Sequence, residues 1–397
     1  MKNFTLARSL SASFAAALCA MTSLSMASCD RMDAPMQESP ETTIPEISDI
    51  SPEGIARMLC GVDLTSDQLS EVHSAVLSSA ANGYDEEYTF KDMVNSPGAG
   101  VGDAILGVRS SIERGIPLRD LLQEQGGATP STRSSSFLDE LSRSGLQLYW
   151  PYSEDWDGKT LPTITFCPDD ATASSNEGYI REKGNNGRWH LRKVIVDEEY
   201  SRTHPVWIVN WNEDSAYMTP QMLEKMGCVP EEPVQTKAGT TFRTLRIKEF
   251  KAHRNYDSIF AGGSEFIIKI GAINSFKADV AADIRLFAPT ITDMVINVKR
   301  KQVGTFIRLN AVLVSEWSSQ LDESAFLMLE DDGGKRTTWK CGGSVKIQSK
   351  SYGFEVEFPL NQNDDIVWRG PMSKNYFERY NGSPNRLGDV SVTFTLL

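Results

Sequence analysis

Apolar positions change their spacing from one region of the chain to the next, and each spacing predicts a different element. A short basic start, Lys2 and Arg8, precedes an apolar, Ala-rich stretch from about Phe14 to Met26. That is the layout of an export signal over residues 1–28, too short and Ser-rich to span a bilayer. Residues 29–50 are polar and proline-bearing with no period, which predicts a flexible tether. From Ser51 the spacing becomes helical. Ser51 can cap a helix with Pro52 at its first position, and Ile55, Leu59 and Val62 fall on one face. Thr65 to Gln68 reads as a capping box, followed by Leu69, Val72, Val76 and Ala80. Thr89 to Asp92 offers another helix start, so residues 51–125 read as a helical unit.

The Gly/Ser/Thr-rich stretch 126–136 reads as a linker. Beyond it LQLYW, TITF, GYIRE, WHLRKVIV and PVWIVNW are rich in β-branched and aromatic residues, which predicts a β-rich middle domain over 137–228. Residues 229–240 look like a second linker. In 241–397 the alternation is clearest, as in Phe266/Ile268/Ile270, Phe354/Val356/Phe358 and Val390/Val392/Phe394. It predicts antiparallel strands with one face buried and, with turns between them, a β-sandwich. The fold class expected for the whole chain is α+β.

Met26-Ala27-Ser28-Cys29 resembles the lipobox of bacterial lipoproteins, in which the cysteine sulfur accepts diacylglycerol. The resemblance implies Cys29 as the lipid-attachment residue and an anchor in the bacterial cell envelope, at the outer membrane, with several acyl chains making it permanent. Asp30 and Asp33 are similar to the surface-export signal of Bacteroidota lipoproteins, with Arg31 and Met32 interrupting it, so surface and periplasmic faces both stay open.

Charge narrows the partners. The chain has 40 Lys and Arg against 53 Asp and Glu, a formal net charge of −13. Cleavage before Cys29 removes Lys2 and Arg8 and no acid, making the remainder more acidic still. No basic run offers a footprint for phosphate backbones, which excludes nucleic acid. Cys60, Cys167, Cys228 and Cys341 are far apart in sequence, and their pairing, or their burial as small apolar side chains, is left open.

Motifs for chemistry are sparse. The Gly98–Gly102 run lacks the spacing and the Lys-Ser/Thr of a phosphate loop, and the histidines stand singly. Gly262-Gly263-Ser264-Glu265-Phe266 lacks the closing glycine of a nucleophile elbow. Acidic loops are better candidates. Ser153, Asp155, Asp157 and Gly158 are spaced like the start of a calcium loop, but Ile164 stands where the closing Glu belongs. Glu330 to Gly334 reads as a hairpin turn.

LRIKEFKAHRNYDSIFAGGSEFIIKIG, residues 245–271, resembles the opening strands and first loop of the calcium- and phospholipid-binding β-sandwiches of synaptotagmin and protein kinase C. FEVEFPLNQNDDIVWRG resembles a later strand and loop of the same family. The resemblance implies Asp257, Glu265, Asp364 and Asp365 as calcium ligands. Two acids expected at the strand end are replaced by Leu360 and Gln362, or by Pro359 and Asn361, which removes charge from such a site. Calcium is the one candidate ion, and no other cofactor is implied.

Trp150, Tyr152, Trp156, Trp189, Trp207 and Trp211 crowd the middle region, where rings either stack on sugars or fill a core. The segments NGYDEEYTFKDMVNSPGAGVGD, YWPYSEDWDG and YDSIFAGGSEF together resemble a family of Bacteroidota lipoproteins, which implies location and architecture and assigns no activity. The leading expectation is a lipid-anchored, non-catalytic binding module for a protein or glycan partner. The alternatives are a fimbrillin-like structural subunit whose terminal strand SVTFTLL donates a pairing edge, a calcium-dependent binding protein, or a secreted hydrolase using Asp155, Asp157, Asp364 or Asp365.

Overall fold

Helix α1 (Pro52–Gly61) begins where the sequence places it. The Ser51 hydroxyl accepts the Gly54 N–H, Pro52 sits at the first position, and Ile55, Met58 and Leu59 turn inward. Helix α2 (Ser66–Ala81) opens on the Thr65/Gln68 capping box and buries Leu69, Val72, Ala75 and Val76. The computed structural model describes residues 50–108, 115–126, 134–170, 173–183, 189–212, 217–227, 242–332 and 334–397. The signal 1–28, Cys29, all of the tether but Ile50, Cys228, the linker 229–240 and most of the linker 126–136 lie outside them.

Strand β1 (Glu87–Thr89) follows α2 and runs into α3 (Phe90–Asn95), which the Thr89 hydroxyl caps through the Asp92 N–H at 3.0 Å. Then come α4 (Leu118–Gly126), α5 (Ser134–Arg143), β2 (Leu146–Tyr149), β3 (Thr163–Phe166), β4 (Ser175–Lys183), β5 (Trp189–Asp197), α6 (Glu198–Thr203), β6 (Val206–Trp211) and α7 (Pro220–Lys225). The strands form a mixed sheet in the order β1-β2-β6-β3-β4-β5, with β3 and β6 parallel.

The helical unit expected over 51–125 and the β-rich domain expected over 137–228 share one core. Ile55, Leu59, Val72 and Leu118 pack with Leu148, Trp150, Ile164, Trp207 and Val209. The reason is physical: an amphipathic helix carries one apolar stripe and needs a partner face, and a sheet face supplies it. Each large side chain so buried contributes about 1.5–3 kcal/mol. β1 lies within the region read as helical and extends the sheet by pairing with β2.

The remaining strands are β7 (Arg243–Ala252), β8 (Ser264–Ala272), β9 (Thr290–Val298), β10 (Ile307–Trp317), β11 (Leu321–Glu330), β12 (Arg336–Ile347), β13 (Lys350–Asn361), β14 (Asp365–Ser373), β15 (Pro384–Leu387) and β16 (Val390–Leu396), with α8 (Lys374–Arg379) before β15. One sheet runs β10-β7-β16-β15. The other runs β13-β12-β11-β8-β9, with β14 also on β11. Their facing sides share a core that includes Phe250, Ile268, Phe326, Val392 and Phe394, giving the sandwich-like, β-rich half of an α+β fold.

Two expectations fail here. One-faced burial does not hold at β8, which is buried at every position. β12 pairs β11 only at Leu321/Val345 and Glu323/Ser344, while β14 takes β11 from Glu323 to Glu330. The β12–β13 hairpin is thereby released, and its Cys341, Val356 and Phe358 pack with Ile267, Leu327 and Leu329 in a second layer. Gly271 permits the close approach, since a Cβ there would lie 2.6 Å from a Val356 methyl. The strand SVTFTLL is also no free edge, because β16 is paired on both sides, to β7 and to β15. No helix among the described residues is long and apolar enough to cross a membrane.

Candidate functional site

After β2 the chain turns sharply at Trp150-Pro151-Tyr152, and Tyr152 takes a left-handed conformation at φ 59°. Such a backbone is costly for a side chain of this size and survives only where the surroundings hold it. Here Tyr152 is buried, its hydroxyl donates to Glu198 Oε1 at 3.2 Å, and the Arg202 guanidinium lies 5.4 Å from its ring centre. Below it Trp150 is fully buried and meets Trp207 and Trp156 edge-on, at 5.7 and 5.2 Å between ring centres. The ring of His73 wedges against Trp150 and Trp156 at 5.4 and 4.9 Å, with Nε2 3.0 Å from the Ser153 carbonyl.

Trp156 stays half-buried, and its indole N–H donates to the Thr160 carbonyl at 2.9 Å. Between this turn and the end of α6 lies a groove of about 210 Å³, lined by Trp150, Tyr152, Trp156, Asp155, Arg202 and His204 among others. Asp157 at its edge accepts from the Lys159 and Thr160 N–H groups, both at 2.8 Å, and from the Thr160 hydroxyl at 2.7 Å. Those hydrogen bonds hold its carboxyl below the usual range. Asp155 is ion-paired with Lys301. The calcium-loop oxygens anticipated at Asp155 and Asp157 are thus engaged by an ammonium and by the turn's own donors.

Under the groove runs a buried acidic stretch, Asp85-Glu86-Glu87, at 2, 3 and 1% exposure. Asp85 Oδ2 accepts the Gly263 N–H at 2.7 Å, and burial raises its pKa. Glu86 Oε1 accepts the Ser153 N–H and hydroxyl at 3.2 and 3.1 Å. Burial first, then a hydrogen bond with Glu154 and the charge of Asp85, pushes Glu86 up to about 9. Burial opposes ionisation of Glu154 too, but its hydrogen bonds with Glu86 and Lys301 prevail and bring it down to about 2. The pair thus pulls apart, burial and the neighbouring acids favouring the neutral form of Glu86 while Lys301 favours the ionised form of Glu154. Arg300 closes the seam, with Nη1 on Glu198 Oε2 at 3.2 Å and Nη2 donating to the Asp257 and Gly262 carbonyls at 3.0 and 2.8 Å. Composition alone reads such charges as solvated. The cue available in the sequence is the alternation of Tyr84, Glu86, Tyr88 and Phe90 through the run.

A second group of acids sits where three loops of the sandwich meet. Carboxylate oxygens of Asp257, Glu330 and Asp332 lie within 4.8 Å of one another. Burial, the largest cause, pushes Asp257 up to about 6 against a hydrogen bond from Glu330. Asp364 is likewise raised to about 6, by burial and by Asp331, while accepting the Asn361 N–H at 2.7 Å. Asp365 is exposed and lies 3.8 Å from Arg254. Glu265 is buried in β8, and its carbonyl accepts the Asp331 N–H at 3.1 Å.

Of the candidates named from sequence, Asp257, Asp364 and Asp365 therefore come to one end of the sandwich, with Glu265 at the adjoining strand start. Asp155 and Asp157 belong to the groove instead. Glu330 and Asp332, read from sequence as part of a turn, are the residues that join Asp257.

No protein-family model, curated protein or solved structure matches this chain.

The two places offer different chemistry. In the acid cluster protons stay on carboxyls at pH values where exposed ones are ionised, and neighbouring acids reinforce this. The groove presents a fixed aromatic surface, acceptor-only carboxylates and a donor-only guanidinium within one small concavity. Its rings are braced from behind by other rings, so contact there needs little reorganisation.

Proposed function

We propose that this chain is a lipid-anchored cell-envelope protein acting as a non-catalytic binding module, with the groove beside Trp156 as its contact site. The observation that carries the reading is the braced aromatic wall. Trp156 remains half-buried although Trp150 and His73 already fix it, and the facing wall brings Arg202 and His204 to the same opening. The lipobox-like Met26–Cys29 and the polar stretch that follows support attachment through Cys29 on a flexible tether. A fimbrillin-like role is less well supported, because β16 is already paired with β7 from Val390 to Leu396 and with β15 from Val390 to Thr393.

The test places a photo-crosslinking residue at Thr160 on the groove rim, and a second at Arg386, distant in sequence and exposed, in the full-length protein within its host envelope. Illumination should give a defined adduct from Thr160 and none from Arg386. Equal labelling, or none at Thr160, removes the groove as the contact site. Intact mass of the membrane-extracted chain, with and without Cys29→Ser, checks the anchor separately.

A further inference from the structure

We propose that the groove beside Trp156 binds a single neutral sugar ring of a glycan; this rests on the binding reading above and names its ligand class. The size comes first. About 210 Å³ is below the roughly 300–1,000 Å³ that encloses a drug-sized ligand, and suits one ring of a longer molecule whose remainder stays in solvent.

The chemistry of the walls selects the ring. A pyranose has an apolar face of C–H groups and an edge of hydroxyls, each both donor and acceptor. Trp156 offers the flat apolar surface, and its polar N–H is already committed to the Thr160 carbonyl, so the ring acts through its π face and not as a donor. Asp155 supplies acceptors and Arg202 supplies donors in the one groove, and sugar hydroxyls, each both donor and acceptor, can answer either. Both charged groups already have partners of opposite sign, Lys301 for Asp155 and Glu198 for Arg202. The rim is therefore close to balanced and favours a neutral ligand. A phosphorylated ligand would meet Asp155 and Asp157, and an apolar chain would strand the charged rim.

Rigidity is the second support. Tyr152 holds its left-handed backbone beneath the groove, fixed by Glu198 and Arg202, and Trp156 is wedged by Trp150 and His73. A weak, shallow sugar contact gains most from surfaces already ordered before binding.

The experiment titrates the full chain with glucose, galactose, mannose, N-acetylglucosamine and short oligosaccharides of each, read by saturation-transfer NMR and tryptophan fluorescence. The expected result is binding of at least one series with Kd of about 0.01–1 mM, weakened about tenfold or more by Trp156→Ala and restored by Trp156→Phe. Arg202→Gln, at an exposed side chain, should weaken it without altering the circular-dichroism spectrum, which covers the case where Trp156→Ala misfolds. Binding unchanged in both Trp156→Ala and Arg202→Gln overturns the site. Absence of saccharide binding overturns the ligand class; with a groove-specific adduct from Thr160 the binding reading survives it, and without one both fall.

Discussion

Asp85, at the start of the buried acidic run, accepts a hydrogen bond from the backbone N–H of Gly263 at 2.7 Å, tying the layer of helices and mixed sheet to the sandwich. Gly263 is buried as well, so its N–H has no water to fall back on. Removing the acceptor with Asp85→Ala leaves a buried donor unsatisfied, which costs about 1–3 kcal/mol. Asp85→Asn keeps an oxygen in place and removes a carboxyl whose ionisation burial already opposes, so its cost should be clearly smaller. Urea denaturation midpoints of the two variants measure this. Equal losses would show that the charge, and not the hydrogen bond, holds the seam.

The second layer over β8 makes a separate prediction. A Cβ at Gly271 would stand 2.6 and 2.8 Å from the two Val356 methyl groups. Gly271→Ala should therefore destabilise the chain by about 1–3 kcal/mol through overpacking. In a Val356→Ala background the same change should cost much less, because the obstructing methyls are gone. A double-mutant cycle reads the coupling, and additive effects would mean the hairpin does not press on β8.

Much of the fold is legible because its signals are local. Ser51 with Pro52 and Thr65 with Gln68 announce helix starts within four residues, and Phe266/Ile268/Ile270 announces a strand within five. What stayed hidden depends on contacts distant in sequence. Glu87–Thr89 is three residues long within a region of helical spacing, and pairing with β2 is what makes it a strand. The full burial of β8 comes from a hairpin some eighty residues downstream, which no window over β8 contains. The site divides the same way. Trp150, Tyr152, Asp155, Trp156 and Asp157 are visible as one aromatic and acidic run, whereas Arg202 and His204 on the opposite wall carry no signal of their own. Asp257 was nameable from a loop resemblance, but Glu330 and Asp332 read as a turn until the fold brought them beside it.

Thiol accessibility gives a third prediction. Cys60 and Cys341 are buried free thiols in different cores, and burial pushes Cys60 up to about 12. A thiol that stays protonated and covered reacts slowly with alkylating reagents. At pH 8 the folded chain should leave both unmodified by iodoacetamide over a time in which the urea-unfolded chain is fully labelled, as read by peptide mass spectrometry. Rapid labelling of Cys60 in the folded state would show that α1 opens readily.

The buried carboxyls predict an unusual pH dependence of stability. Asp257 and Asp364 are raised to about 6 by burial, and an unfolded Asp titrates near about 3.9. Between those values the folded chain holds protons that the unfolded chain has released, so stability falls as pH rises, by up to about 1.4 kcal/mol per pH unit for each proton. Their contribution is complete below about pH 4 and gone above about 6. Glu86, raised to about 9, extends the decline through neutrality, since an unfolded Glu titrates near about 4.3. Glu154, lowered to about 2, acts in the opposite sense, and what it contributes is lost as pH drops from about 4.3 toward 2. Urea midpoints should therefore be highest near about pH 4–5 and decline toward pH 9. Glu86→Gln, which mimics the protonated form, should flatten the limb above pH 6, and Asp257→Asn the limb below it. A midpoint that climbs steadily from pH 4 to 8 would show that these carboxyls are ionised in the folded chain, and an alkaline limb unchanged in Glu86→Gln would show that Glu86 does not hold a proton through neutrality.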